Sequence, residues 1–322
     1  MSVLLGIIGC GGHSEHHAKN LGPDVCTYGV WDPDPNAMER IGCTQKYGSL
    51  EALLAEKRID AVLIGSPDKF HLEQIEMALQ AGKHVFCEKP LMVPGESVFH
   101  LEALFRYAAE KGLVLTSCHP RRRDRPFLWL FEGMRSSDET GFLARFGRVV
   151  SFDFDFSYHA PNNDWKHARS LLLDHVNHEV DLMNALFGIQ GFDAWKLHDG
   201  HDHYHVVGKR DDGIAFQFRG TRRLTSRVYP EWCRIRFERG EVALDMMMGV
   251  AHISDHDRKT VENVDGLAID YEGRLVGVMN DFHDSQADPA HVGYLSRAEM
   301  LMNTEAGIVL QREGVQRIDV RP

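Results

Sequence analysis

The chain has 322 residues, 43% of them hydrophobic and 26% charged, a balance that fits an ordinary soluble globular protein long enough for two domains. Its formal net charge of −11 argues against an extended basic face for nucleic acid and against general attraction to anionic membranes. No apolar run approaches the ~18–20 residues that span a bilayer. The chain enters Val3-Leu4-Leu5-Gly6-Ile7-Ile8 with no basic leader region and no cleavage site, so a cytoplasmic protein without a signal peptide is expected. Six cysteines (Cys10, Cys26, Cys43, Cys87, Cys118, Cys233) form no CxxC pair and read as reduced, mostly buried thiols.

Residues 4–9 are an apolar strand running into Gly9-Cys10-Gly11-Gly12-His13-Ser14, a GxGxx(G/S) pattern that opens a helix to about Asn20. The first glycine permits a tight turn and the second lets a pyrophosphate approach the backbone. The helix N-terminus then presents free N–H groups and a positive dipole end. Ser14 stands where a third glycine is usual. A second strand, Cys26 to Trp31, ends at Asp32, 23 residues after Gly9. An acid there suits a ribose 2′-OH and repels a 2′-phosphate, favouring NAD while leaving NADP possible. Ser49 caps a helix through Lys57. Residues 61–65 are a buried strand ending at Ser66-Pro67, and residues 70–81 a helix stopped by Gly82.

Residues 84–87 form the next strand and run into Glu88-Lys89-Pro90. Ligands of open α/β sheets sit at strand carboxyl ends, so a lysine pinned there by a proline is well placed to meet substrate. A helix over 95–111 and a strand over 114–117 complete the alternation. The expectation is an α/β protein with a doubly wound parallel sheet of Rossmann type in domain 1–118.

Domain 119–322 differs. Val150, Phe152, Phe154 and Phe156 alternate with polar residues, a half-buried strand. Further strands are expected near 193–197, 203–209, 214–219, 224–228, 232–238, 241–246 and 315–320, with helices near 279–286 and 296–310. The result is an α/β domain with a large, mostly antiparallel open sheet. Between its first two strands, Asp174, His178 and Asp181 fall at i, i+4 and i+7 of a largely apolar helix. Ionisable groups on such a helix are costly unless placed for a purpose. Glu179 falls near the apolar side without explanation.

These motifs together resemble the glucose–fructose oxidoreductase / inositol dehydrogenase / rhizopine-catabolism (Gfo/Idh/MocA) family. They are the glycine loop, Asp60 to Pro67 followed by His71, Gly82-Lys83-His84-Val85 before Glu88-Lys89-Pro90, and the DxGxHxxD motif as Asp174, Val176, His178 and Asp181. Val176 replaces the usual glycine, a change that bears on how closely substrate approaches the helix. The resemblance implies an NAD(P)-dependent oxidoreductase acting on a secondary alcohol or ketone of a sugar, cyclitol or related polyol, assembled as a homodimer or homotetramer. It implies Lys89, Asp174 and His178 as catalytic residues. The cofactor contacts expected are Gly9, Gly11, Gly12, His13, Ser14, Asp32, Ser66, Pro67, His71, Glu88 and Lys89.

Substrate contacts are expected from Lys89, Asp174 and His178, with Trp165, Lys166 and Arg169 from the preceding loop; Tyr158, His159 and Asn162 are weaker candidates. Two rival functions share the fold: an NAD-dependent glycosidase using transient oxidation, and a non-catalytic dinucleotide-sensing regulator, which would have no need of Lys89, Asp174 and His178. His198, His201, His203 and His205 lack a closing ligand at recognisable spacing, so no metal is expected. Arg121-Arg122-Arg123 reads as a solvated or salt-bridged face in preference to an acidic-substrate site.

Overall fold

The computed structural model describes residues 2–159, 170–223, 231–256, 260–287 and 295–321. The chain divides into two compact units, Met1–Pro120 with Tyr271–Thr304, and Arg121–Asp270 with Glu305–Pro322.

In the first unit, strands β1 (Val3–Ile8), β2 (Val25–Trp31), β3 (Ala61–Ile64), β4 (His84–Cys87) and β5 (Leu115–Ser117) alternate with helices α1 (Gly12–Lys19), α2 (Pro35–Met38), α3 (Leu50–Leu54), α4 (His71–Gln80) and α5 (Val98–Glu110). The strands form one parallel sheet in the order β2-β1-β3-β4-β5. β3 is buried along its whole length, as expected of a strand covered on both faces. α3 begins at Ser49, whose hydroxyl accepts from the Ala52 N–H.

The second unit contains α6 (Arg125–Arg135), α7 (Phe142–Phe146), β6 (Val149–His159), α8 (Leu171–Phe187), β7 (Phe192–Gly200), β8 (His203–Arg210), β9 (Ala215–Arg223), β10 (Trp232–Phe237), β11 (Gly240–Asp245), β12 (Val250–Asp255) and β13 (Thr260–Val264). The chain then runs through α9 (Tyr271–Ala287) and α10 (Arg297–Val309) to β14 (Gln316–Ile318). Nine strands form one sheet in the order β13-β12-β11-β10-β6-β9-β8-β7-β14. Among the described strands of this sheet, only β6 and β9 pair in parallel. Phe152, Phe154 and Phe156 of β6 point to the buried face, as their period of two requires.

Three features go beyond the sequence expectations. α9 starts at Tyr271 and belongs to the first unit, where Val278, Met279 and Phe282 join Leu5, Ile7, Leu63 and Phe86 in one core. The first unit therefore takes back a segment that a single boundary at 118/119 gives to the second. α6 presents Phe127, Leu130, Phe131 and Met134 to the interior at helical spacing. Strands β12 and β13 extend the sheet beyond the expected set. The strand expected at 224–228 lies outside the described residues.

Candidate active site

In the first unit, the parallel registers place Trp31, Ile8, Ile64, Cys87 and Ser117 in one row across the sheet. The residues just beyond that row are the glycine loop, Asp32, Ser66-Pro67 and Glu88-Lys89. Candidate cofactor residues from four strands thus share one carboxyl edge, the place where open α/β sheets hold ligands.

The loop's glycines divide by role. Gly9 has φ +82°, and a Cβ there would stand 2.5 Å from the Ser66 nitrogen, so only glycine fits. Gly11 and Gly12 are the opposite: a Cβ on either meets nothing within 4 Å. Among the described residues nothing occupies the space beside these two positions, and no side chain caps α1 at Gly11. That combination fits a pyrophosphate resting on the helix N-terminus. Ser14 is fully buried and donates from Oγ to the Gly9 carbonyl at 2.5 Å. A Cβ on Gly65 would lie 2.2 Å from that Oγ. The side chain gained at position 14 is seated by the one missing at position 65.

Asp32 accepts from the Cys10 N–H at 2.7 Å and the Asp34 N–H at 2.8 Å. Its carboxylate is fixed against the glycine loop; burial, followed by the charge of Asp32, pushes the Cys10 thiol up to about 12. His71 is buried, with Nδ1 2.7 Å from the Pro90 carbonyl and Nε2 2.9 Å from the Ser66 carbonyl. It ties the β3 and β4 loops to each other. The Ser66 hydroxyl donates to Gln74 at 2.5 Å, and Pro67 is exposed.

Glu88 continues the ladder, its N–H donating to the Ile64 carbonyl at 2.8 Å. Its carboxylate lies 2.8 Å from His17 Nε2 and 3.9 Å from His13 Nδ1. Burial alone would raise the Glu88 carboxyl; the His17 hydrogen bond and the charges of His13 and Lys89 outweigh it and hold it far below the usual range. The Cys118 sulfur also lies within 4.8 Å of these His17 and Glu88 atoms. Burial keeps that thiol well above its ordinary value, and the His17–Glu88 hydrogen bond accounts for the approach. Lys89 is half-buried on the same edge.

In the second unit, α8 carries the remaining candidates. Ser170 caps it, its hydroxyl accepting from the Leu173 N–H. Asp174, His178 and Asp181 share one helical stripe, while Val176, Val180 and Met183 are fully buried. The Val176 methyl faces Gly307 of α10, so the residue replacing the usual glycine packs between helices. Asp181, outside the catalytic set, accepts both fork hydrogen bonds of Arg122, at 2.9 and 2.7 Å, with both groups buried. Arg121 is buried against Glu231. The arginine run is thus committed to ion pairs at two of its three members. Trp165, Lys166 and Arg169, with Asn162, lie outside the described residues, as do the side chains of Tyr158 and His159.

Helical periodicity leaves Glu179 unexplained. It is fully buried beneath His175 and Tyr204: His175 Nδ1 stands 2.9 Å from its Oε1, and the Tyr204 hydroxyl donates to the same oxygen. An i, i+4 His–Glu pair on α8 was the local signal; the tyrosine, 25 residues away, gave none.

Residues 3–119 match the family described as "Oxidoreductase family, NAD-binding Rossmann fold". Over 195 residues the chain is 30% identical to inositol 2-dehydrogenase of Rhizobium meliloti, covering 58% of this chain and 56% of that one. Over 124 residues it is 31% identical to D-xylose 1-dehydrogenase (NADP(+)) 2 of Haloferax volcanii, covering 38% of this chain and 35% of that one. The chain therefore spans 35% to 56% of the length of these curated relatives. Levoglucosan dehydrogenase in complex with NADH and levoglucosan shares the fold over 99% of this chain and 100% of its own, with TM-score 0.81 and 18% identity. Residues 3–119, the stretch that carries the glycine loop and the five-stranded parallel sheet, are thus similar to the NAD-binding Rossmann domain of the Gfo/Idh/MocA oxidoreductases.

Proposed function

We propose that the protein is an NAD(P)-dependent dehydrogenase or reductase acting on a secondary alcohol or ketone of a sugar, cyclitol or related polyol. The observation that carries this reading is the shared sheet edge, where Lys89 follows the end of β4 in the same row of strand ends as an open glycine loop and a fixed Asp32. The names of the inositol and xylose relatives support the substrate class.

Gly9, Gly11 and Gly12 with the first turn of α1 would hold the pyrophosphate, and Asp32 the ribose. When bound, the nicotinamide supplies the acceptor or donor of hydride. His178 takes the proton of the substrate hydroxyl during oxidation and returns it during reduction, a task suited to an imidazole. Lys89 donates a hydrogen bond to the same oxygen and stabilises its developing negative charge. Asp174 orients the substrate or holds the histidine tautomer. Trp165, Lys166 and Arg169 complete the substrate contacts. A homodimer or homotetramer in the cytoplasm belongs to the same proposal.

The test is a screen of sugars, sugar acids and cyclitols with NAD and NADP, followed at the nicotinamide absorbance, and repeated with Lys89→Ala and His178→Asn. Each variant should lower turnover by about 10²–10⁴ and leave NAD binding nearly intact. Unchanged turnover in both variants would remove the catalytic assignment. Hydrolysis of a glycoside with no net NADH would instead favour transient oxidation.

A further inference from the structure

His175 and Glu179 lie one position along α8 from the Asp174–His178 stripe. The Glu179 side chain is fully buried, the costliest place for a carboxyl group. Its Oε1 receives the Tyr204 hydroxyl and faces His175 Nδ1 at 2.9 Å, while Oε2 has no hydrogen-bond partner among the described residues. Both contacts thus fall on one oxygen of the Glu179 carboxyl group.

The surroundings are built to hold this group. The Tyr204 ring lies over Gly220, its cross-strand partner on β9, where any Cβ would stand 2.1 Å from the ring. The phenol is thereby led under α8, and burial followed by the charge of Glu179 raises it well above its ordinary value, so it stays a donor. The His175 ring stacks on Phe156 with centroids 3.3 Å apart and planes 13° apart. It also stands edge-on to the His178 ring, centroids 5.1 Å apart. One ring nitrogen tied to Glu179 and one face laid on Phe156 leave His175 a single orientation. That orientation presents it to His178.

We propose that Glu179, with Tyr204, is a positioning residue that locks the His175 ring against His178 and so sets both its orientation and its proton affinity. The claim rests on the proposed role of His178 as the proton-transfer group, and deepens it. Among the described residues, the charged and titratable groups facing the cluster are Asp174 and His178 on α8, Tyr204 on β8, and Arg121, which acts electrostatically on Glu179 and is itself paired with Glu231. Of these elements' carboxyl groups, Glu179 is the one seen hydrogen-bonded to His175 among the described contacts.

The experiment is a pH titration of the His178 imidazole by ¹H–¹⁵N NMR in the full chain, assigned by its loss in His178→Asn. It is made in the parent, in Glu179→Gln and in Tyr204→Phe. Glu179→Gln keeps the shape and removes a buried negative charge, which should lower the His178 midpoint by about 0.5 unit or more, roughly a threefold change in protonation. The acid limb of kcat/KM should move with it while KM for the dinucleotide stays put. Tyr204→Phe removes a donor to Glu179 but no charge, and should shift the midpoint less. An unmoved midpoint in a folded Glu179→Gln variant overturns the proposal, whatever its melting temperature does. A moved midpoint in a protein inactive on every sugar and cyclitol would instead uphold the positioning role and remove the dehydrogenase reading.

Discussion

The first unit makes its candidate site from backbone, and the second makes its own from buried charges. Along the carboxyl edge of the parallel sheet, the decisive features are a glycine with φ +82°, two glycines facing open space and a row of strand ends in register. Around α8 they are side chains that sequence separates widely: Arg122 with Asp181, Arg121 with Glu231, and Tyr204 with Glu179. A site made of backbone tolerates side-chain changes wherever the main-chain path survives. A site made of buried pairs does not, because removing one partner strands the other in a medium that solvates it poorly.

The largest expected effect follows from that contrast. Asp181→Ala removes the carboxylate that receives both fork hydrogen bonds of the buried Arg122. The expected loss is about 3–5 kcal/mol of unfolding free energy, the range for breaking one side of a buried pair. Chemical denaturation of the full chain measures it. A loss below about 1 kcal/mol would show that this pair behaves as a surface salt bridge, and would erase the distinction between the units.

The same contrast explains what the sequence disclosed. The strand–loop–helix–strand–acid order is local, so the Rossmann unit could be read in chain order together with its candidate edge. The Asp174–His178–Asp181 stripe was equally legible, because helical periodicity is local too. The partners of those residues were not. Arg122 and Asp181 are 59 positions apart and Arg121 and Glu231 are 110 apart, so no window of sequence contains either pair. Glu179 looked misplaced on an apolar side because only the fold brings Tyr204 beneath it. The place of α9 is hidden for a similar reason: its apolar residues are visible, but the sheet they cover lies far earlier in the chain. α6 is a different failure, since Phe127, Leu130, Phe131 and Met134 carry a regular signal.

A smaller effect tests whether the backbone site tolerates change as claimed. Gly65→Ala would place a Cβ 2.2 Å from Ser14 Oγ, forcing α1 away from β3 or Ser14 out of its seat. Overpacking of this kind costs about 1–3 kcal/mol. Adding Ser14→Gly should recover most of it, because the clash is with the side chain and the backbone there suits glycine. A double-mutant cycle by thermal or chemical denaturation reads the coupling directly. Additive losses would mean that Gly65 is required by something other than Ser14.

Asp32 gives the smallest effect and joins the two modes, being a side chain whose work is to fix a backbone loop. One oxygen accepts from Cys10 N–H, inside the glycine loop, and the other from Asp34 N–H. Remaining lone pairs can meet a ribose hydroxyl, while the fixed negative charge opposes a 2′-phosphate. Asp32→Ala therefore acts twice: it removes the repulsion, and it frees the loop on which either dinucleotide would rest. The second effect weakens both cofactors and cancels in their ratio. The first does not cancel, so the NAD-over-NADP preference in kcat/KM should fall by about tenfold, equivalent to about 1.4 kcal/mol. Asp32→Asn keeps an acceptor for the Cys10 N–H and removes the charge, so it should shift the ratio with less loss of absolute affinity. If both variants weaken NAD and leave the ratio alone, Asp32 is a loop brace and discrimination lies with other groups at the same edge.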